Sequence, residues 1–240
     1  MTNPRNVILS GAWRAFAPSG VEGPAFASHQ EEDNRKVRLG ILLSGRGSNF
    51  LAIAESIRAG RLPGAEIAIV ISNVADAPGL ARAREMGLHT KVLASRGRKR
   101  EEHDADVIAC LRANAVDLVC LAGYMRLLSP QFVAAFPHRI LNIHPSLLPA
   151  FPGLDAQEQA FNYGVNVTGC TVHFVDEELD HGAIIVQRAV PVLDTDGEHS
   201  IAERILKEEH LAYTEAIARV VSGEYEISGR KYVKKPAPPK

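Results

Sequence analysis

Two polar side chains stand where an apolar run ends: Asn142 and His144 in Leu141-Asn142-Ile143-His144-Pro145-Ser146-Leu147-Leu148-Pro149. An imidazole exchanges a proton near neutral pH, and a side-chain amide donates a hydrogen bond to developing negative charge. The pair therefore suits proton transfer beside an oxyanion. Residues 140–143 read as a short core strand, whose period of two points both polar side chains the same way. Pro145 has no N–H to give a ladder, so the chain must leave the sheet directly after His144. A lone histidine in that setting is more often a satisfied core residue than a catalyst, so its company decides.

Asp180, in Val175-Asp176-Glu177-Glu178-Leu179-Asp180-His181-Gly182, is the candidate companion. Carboxylates clustered in a turn are usually just solvated. If Asp180 faces the end of the 140–143 strand, it favours the protonated imidazole and the two become an acid/base pair. A Ser146-His144-Asp180 hydrolase triad fits less well. Ser146 lacks the Gly-x-Ser-x-Gly elbow, and a nucleophile two residues from its base is poorly placed.

The third feature is Ser44-Gly45-Arg46-Gly47-Ser48-Asn49, between a predicted strand over 37–43 and a helical pattern of Phe50, Ile53, Ala54 and Ile57. Backbone N–H groups and the helix dipole at such a turn favour a phosphate. A dinucleotide fingerprint would need glycine at Phe50, and a P-loop starting at Gly40 would need lysine at Arg46. One small phosphate is the reading preferred over an empty tight turn.

The elements that must position these groups alternate. After the first strand and helix come strands over 66–71 and 89–93, with a helix over 79–86 between them stopped by Gly87. A helix over 100–114, a strand over 118–122 and a short helix opened by Ser129-Pro130 lead to the 140–143 strand. Such alternation predicts an α/β fold with a doubly wound, mostly parallel sheet. Beyond Pro149 the pattern changes. Asp155-Ala156-Gln157-Glu158 matches a capping box for a helix to Tyr163, strands over 167–174 and 183–190 read as an antiparallel hairpin, and Ser200-Ile201-Ala202-Glu203 matches a capping box for a long final helix ending near Gly223.

Composition narrows the function classes. The 240 residues carry 27 Lys plus Arg against 28 Asp plus Glu, a balance that calls for neither nucleic acid nor an anionic membrane. Cys110, Cys120 and Cys170 are scattered in apolar surroundings, as buried thiols of a reducing cytoplasm are. Neither Cys-x-x-Cys nor His-x-x-x-His occurs, so no metal is expected. No apolar run approaches the roughly 18 residues of a membrane span. Residues 1–36 read as a poorly ordered tail, 37–229 as one catalytic domain and 230–240 as a Pro/Lys-rich tail. A signal peptide over 7–17 is broken by Ser10, Gly11 and Arg14, and a start assigned too early is the other reading of the first tail.

Together with Leu121-Ala122-Gly123-Tyr124-Met125-Arg126-Leu127-Leu128-Ser129-Pro130 and the stretch from Gly169 to Gly182, these motifs resemble the phosphoribosylglycinamide formyltransferase family, in family order. The resemblance implies formyl transfer from 10-formyltetrahydrofolate to the amine of 5-phosphoribosylglycinamide in purine synthesis, in the cytoplasm, by a monomer or homodimer. It implies Asn142, His144 and Asp180 as the catalytic trio, with Gly47, Ser48 and Asn49 on the substrate phosphate and Glu209 on the ribose. It places the folate against Met125, Arg126, Leu127, Leu128 and Asn142, with Asp176, Glu177, Glu178, Leu179 and Asp180 around its pterin and Arg100 near its tail. Two positions depart from the family pattern. Gln157 stands where a histidine is frequent, which puts that ligand contact in doubt, and Thr214 where a proline is common. The rival readings are a formyltetrahydrofolate hydrolase, with water attacking in place of the amine, and a non-catalytic phosphate- or folate-binding module.

Overall fold

The computed structural model describes residues 35–237; the first tail, save residues 35 and 36, and the last three residues lie outside the described residues. One nine-stranded sheet organises the rest, in the spatial order β3 (Thr90–Val92), β2 (Ala65–Ser72), β1 (Val37–Leu43), β4 (Leu118–Leu121), β5 (Ile140–His144), β6 (Val167–Phe174), β7 (Ile184–Pro191), β9 (Lys231–Lys234), β8 (Tyr225–Ser228). Strands β1 (Val37–Leu43), β2 (Ala65–Ser72), β3 (Thr90–Val92), β4 (Leu118–Leu121) and β5 (Ile140–His144) run parallel. Strands β6 (Val167–Phe174) and β7 (Ile184–Pro191) are the expected antiparallel hairpin, paired beside β5.

The alternation in β1 shows why the sheet is covered on both sides. Leu39, Ile41 and Leu43 enter one core with Phe50 and Ile53 of α1 (Ser48–Arg58), Leu80 of α2 (Pro78–Glu85), and Ile205, Tyr213 and Ile217 of α6 (Glu198–Val221). Leu42 enters the other, with Val107 and Leu111 of α3 (Arg100–Ala113) and Phe132 of α4 (Pro130–Ala135). Each such fully buried side chain contributes about 1.5–3 kcal/mol. Gly40 lies between, and a Cβ there would meet Leu111 Cδ2 at 2.5 Å, so the helix packs directly on the strand. The chain leaves β1 for β2 and β3 on one side and crosses from β3 back over β1 to β4 on the other. The topological switch point therefore lies between the carboxyl ends of β1 and β4, the place where α/β folds bind ligands. Ser44 bridges it: its N–H donates to Gly123 O at 3.0 Å and its hydroxyl accepts from Met125 N at 2.8 Å.

Several local expectations are corrected. Asp155 precedes α5 (Ala156–Tyr163), but it adopts φ 54°, and its side chain makes no cap. Helix α6 begins at Glu198, one turn before a Ser200 cap would allow; Ser200 instead sits inside the first turn and accepts from Gly197 N at 3.1 Å. Ser129 does cap α4, accepting from Phe132 N at 3.3 Å. The segment expected as a tail from residue 230 carries strand β9 (Lys231–Lys234). It pairs with β8 (Tyr225–Ser228) and touches β7 at Ile184, so the sheet continues past Gly229. No helix of the described residues is long and apolar enough to cross a membrane.

Candidate active site

Asn142 and His144 share one face of β5, and antiparallel pairing sets His173 of β6 opposite Asn142. The segment joining β6 to β7 folds back over this face and brings Asp180 onto it. Asp180 Oδ2 lies 3.4 Å from His144 Nδ1 and accepts from Gly153 N at 2.8 Å. Its Oδ1 lies 3.5 Å from Asn142 Nδ2 and 3.7 Å from His173 Nε2. Burial alone would push the Asp180 carboxyl up. Hydrogen bonds from His173 and the Gly153 N–H, with the charges of His144 and His173, outweigh it and hold the group below the usual carboxylate range.

The remaining atoms of the trio are also placed. His144 Nε2 donates to Phe151 O at 2.8 Å, so both ring nitrogens face oxygen atoms. Asn142 Nδ2 has only long contacts, 3.4 Å to His173 Nε2 and 3.5 Å to Asp180, which leaves its N–H groups weakly engaged. Ser146 points elsewhere: its hydroxyl donates to Ala150 O at 2.5 Å, within its own loop. That loop is fastened to the sheet by Thr171, whose Oγ1 donates to Ser146 O and accepts from Leu148 N.

The glycine turn lies at the amino end of α1. Gly47 has φ 71° and no room for a side chain, since an added Cβ would stand 3.0 Å from Gly79 Cα. Ser48 and Asn49 form the first turn of α1, and Asn49 Nδ2 donates to Glu209 Oε2 of α6 at 2.8 Å. Burial pushes the Glu209 carboxyl up, and the Asn49 hydrogen bond draws it partly back. Asn49 Oδ1 is buried with no hydrogen-bond partner, a polar atom left for something else to satisfy.

Exposed apolar side chains follow β4, Met125 at 71% and Leu127 at 54% of their full surface, and Leu179 at 57% directly precedes Asp180. Leu128 packs against the second core, and Arg126 is half-buried with its Nε enclosed and unpartnered. Asp176 accepts from Glu178 N at 3.0 Å, a local turn that leaves Glu177 and Glu178 in solvent. Arg100 is the exposed first residue of α3 and makes no hydrogen bond to the trio. Gln157 is half-buried in the first turn of α5. Thr214 donates to His210 O of its own helix at 3.0 Å and meets Ser56 of α1 at 2.9 Å, a packing role.

His173 and Gly153 did not emerge from the sequence. The signal for His173 was present, since period two in β6 can bring it to the face that Asn142 occupies, but only the cross-strand register shows it. Gly153 offered no signal, because its part is played by a backbone N–H.

The formyl transferase family profile matches residues 37–217. The crystal structure of glycinamide ribonucleotide transformylase 1 from Symbiobacterium toebii superposes with a TM-score of 0.80 at 51% identity, covering 83% of this chain and 94% of that one. Phosphoribosylglycinamide formyltransferase of Escherichia coli K12 is 43% identical over 188 residues, 78% of this chain and 88% of its own. The trifunctional purine biosynthetic protein adenosine-3 of Drosophila melanogaster is 46% identical over 196 residues; the chain spans only 14% of that polypeptide's length.

Proposed function

The chain belongs to the formyl transferase family, and from that membership we propose that it transfers the formyl group of 10-formyltetrahydrofolate to the amine of 5-phosphoribosylglycinamide in purine synthesis. The products are the N-formylglycinamide ribonucleotide and tetrahydrofolate. The observation that carries the reading is the Asp180 carboxylate set between His144 and Asn142; exposed apolar side chains follow β4 at Met125 and Leu127 and precede Asp180 at Leu179. A proton-transfer pair and a weakly engaged amide donor stand together, and the exposed apolar side chains are assigned to a flat ring in this reading.

In this reading the folate supplies the formyl carbon. The C–N bond to the glycinamide nitrogen forms, the bond to the folate nitrogen breaks, and one proton passes from the amine to that leaving nitrogen. The Asn142 amide donates to the charge developing on the formyl oxygen. His144, oriented by Asp180 and Phe151 O, exchanges the proton. Backbone N–H groups of Gly47, Ser48 and Asn49 hold the substrate phosphate at the positive end of α1, and Glu209 accepts from the ribose hydroxyls. The loop carrying Asp176, Glu177, Glu178 and Leu179 closes on the pterin, Arg126 and Leu128 back the wall, and Arg100 meets the acidic tail of the folate. Small molecules of the cytoplasm are the partners; no metal takes part in any step assigned to these residues.

Release of free folate from 10-formyltetrahydrofolate, followed with and without phosphoribosylglycinamide, tests this directly. Release that requires the amine is expected. Release without it would make the protein a hydrolase, and no release a binding module.

A further inference from the structure

The segment that carries Asp180 leaves β6 after Phe174 and re-enters the sheet at Ile184, and the C-terminal hairpin β8–β9 grips both of its stems. On the incoming side the Tyr232 ring packs edge-on against Phe174, centroids 5.2 Å apart. On the outgoing side Lys231 pairs with Ile184. Between them Arg230 Nη2 donates to His181 O at 2.7 Å, and Nη1 lies against the His181 ring, within hydrogen-bond reach of Nε2. The same ring donates through Nδ1 to Asp176 Oδ2 at 2.9 Å, tying the far side of the loop to the residue Arg230 holds. The neck is tight: a Cβ on Gly182 would stand 1.9 Å from Phe174 O.

Asp180 directly precedes His181 and sits at φ 50°, a left-handed conformation uncommon for L-residues, though aspartate tolerates it better than most. Glu177, Glu178 and Leu179, at the tip, are exposed. The carboxylate of Asp180 is held on the sheet side by the Gly153 N–H and the neighbouring histidines, and the backbone that follows it is braced on the hairpin side by the Arg230–His181 contact. The geometry points to the β8–β9 hairpin as the device that positions the Asp180 loop, with Arg230 as a positioning residue acting through His181. This rests on the formyl-transfer reading and extends it to a segment beyond the residues 37–217 that the family profile matches. Arg230 is exposed, and an exposed contact adds little to global stability. Its loss should therefore appear in the reaction and in the loop, not in Tm.

The test uses the full chain with Arg230→Ala, Arg230→Lys, His181→Ala and the Arg230→Ala/His181→Ala double variant. Arg230→Ala should lower kcat/KM for formyl-folate on the order of tenfold, less than the roughly 100-fold that a full 1 Å misplacement costs. KM for the ribonucleotide should stay within about twofold. His181→Ala should match it, the double variant should be no worse than either single, and Arg230→Lys, with charge but no forked donor, should recover only part. Amide hydrogen exchange over residues 176–182 should quicken in Arg230→Ala whatever reaction the enzyme runs, which separates this inference from the assignment of the activity. Unchanged exchange, unchanged kinetics, equal losses for both substrates or additive losses in the double variant would each overturn it. Failure of the wild-type chain to transfer formyl would sink the reaction and leave the exchange result to judge the hairpin.

Discussion

His144 Nδ1 stands 3.4 Å from Asp180 Oδ2 while its Nε2 donates to Phe151 O at 2.8 Å, so a carboxylate and a carbonyl fix the imidazole from both edges. A ring held in this way needs no reorientation as the proton moves. Removing the carboxylate should harm the chemical step and leave ground-state binding nearly intact. Asp180→Asn and His144→Ala are each expected to lower kcat on the order of 100- to 1000-fold, with KM for phosphoribosylglycinamide little changed. Steady-state kinetics at saturating folate measure this, and turnover near that of the wild type in either variant removes the trio from the mechanism.

The same carboxyl gives a stability signature. Burial works against its charge, but His173, the Gly153 N–H and the charges of His144 and His173 hold its folded-state value below the roughly 3.9 of an unfolded aspartate. A depressed group contributes stability that is fully present above the unfolded value and lost as pH falls through the folded one. The stability difference between wild type and Asp180→Asn should thus be largest near neutrality and shrink on acidification below about pH 4. Urea unfolding of both proteins across that range measures it; a gap that widens in acid contradicts the assigned contacts.

Much of this site was legible because its signals are local. Strand alternation placed Asn142 and His144 on one face, and the strand-turn-helix order around Ser44 to Asn49 marked the turn at the amino end of α1 that is proposed to hold the phosphate. What escaped was long-range or overridden. His173 reaches the trio through cross-strand register, and Gly153 through a backbone N–H. Asp155 has the type of a cap, yet it sits at φ 54°, outside the extended conformation a capping side chain needs, and makes no cap. In the hairpin, Tyr225, Ile227 and Tyr232 do carry a strand signal, but lysines and prolines around it read as a solvated tail, and only the rings against Phe174 and Arg219 show what it covers.

Gly47 joins a left-handed φ of 71° to a close approach, with an added Cβ 3.0 Å from Gly79 Cα. Gly47→Ala must therefore strain the backbone and push α1 from α2 at once. A loss of about 1–2 kcal/mol in stability is expected from the left-handed conformation. A rise of about tenfold in KM for the ribonucleotide should accompany it, as the N–H groups aimed at the phosphate shift. KM for formyl-folate should stay nearly constant. Chemical denaturation and initial rates with each substrate varied read the two effects, and equal changes in both KM values would place the phosphate elsewhere.

Glu209 sets binding against stability. Its carboxyl is buried, which raises its folded-state value; the Asn49 amide offsets only part of that, and the neighbouring Asn49 Oδ1 has no partner. A carboxyl with a raised folded value binds more protons folded than unfolded, so stability falls as pH rises from the unfolded toward the folded value, and the charged group is a cost at neutrality. Glu209→Gln keeps the shape, can still accept from Asn49 Nδ2 and removes the charge. It should leave the protein at least as stable as the wild type at pH 7 and flatten the decline of stability with rising pH. At the same time KM for the ribonucleotide should rise about tenfold or more, since a charge-assisted acceptor for the ribose hydroxyls becomes a neutral one. Thermal melts over a pH series, with KM measured in parallel, separate the two. A variant that loses stability while keeping its KM would make Glu209 a structural link between α1 and α6 and not a ribose ligand.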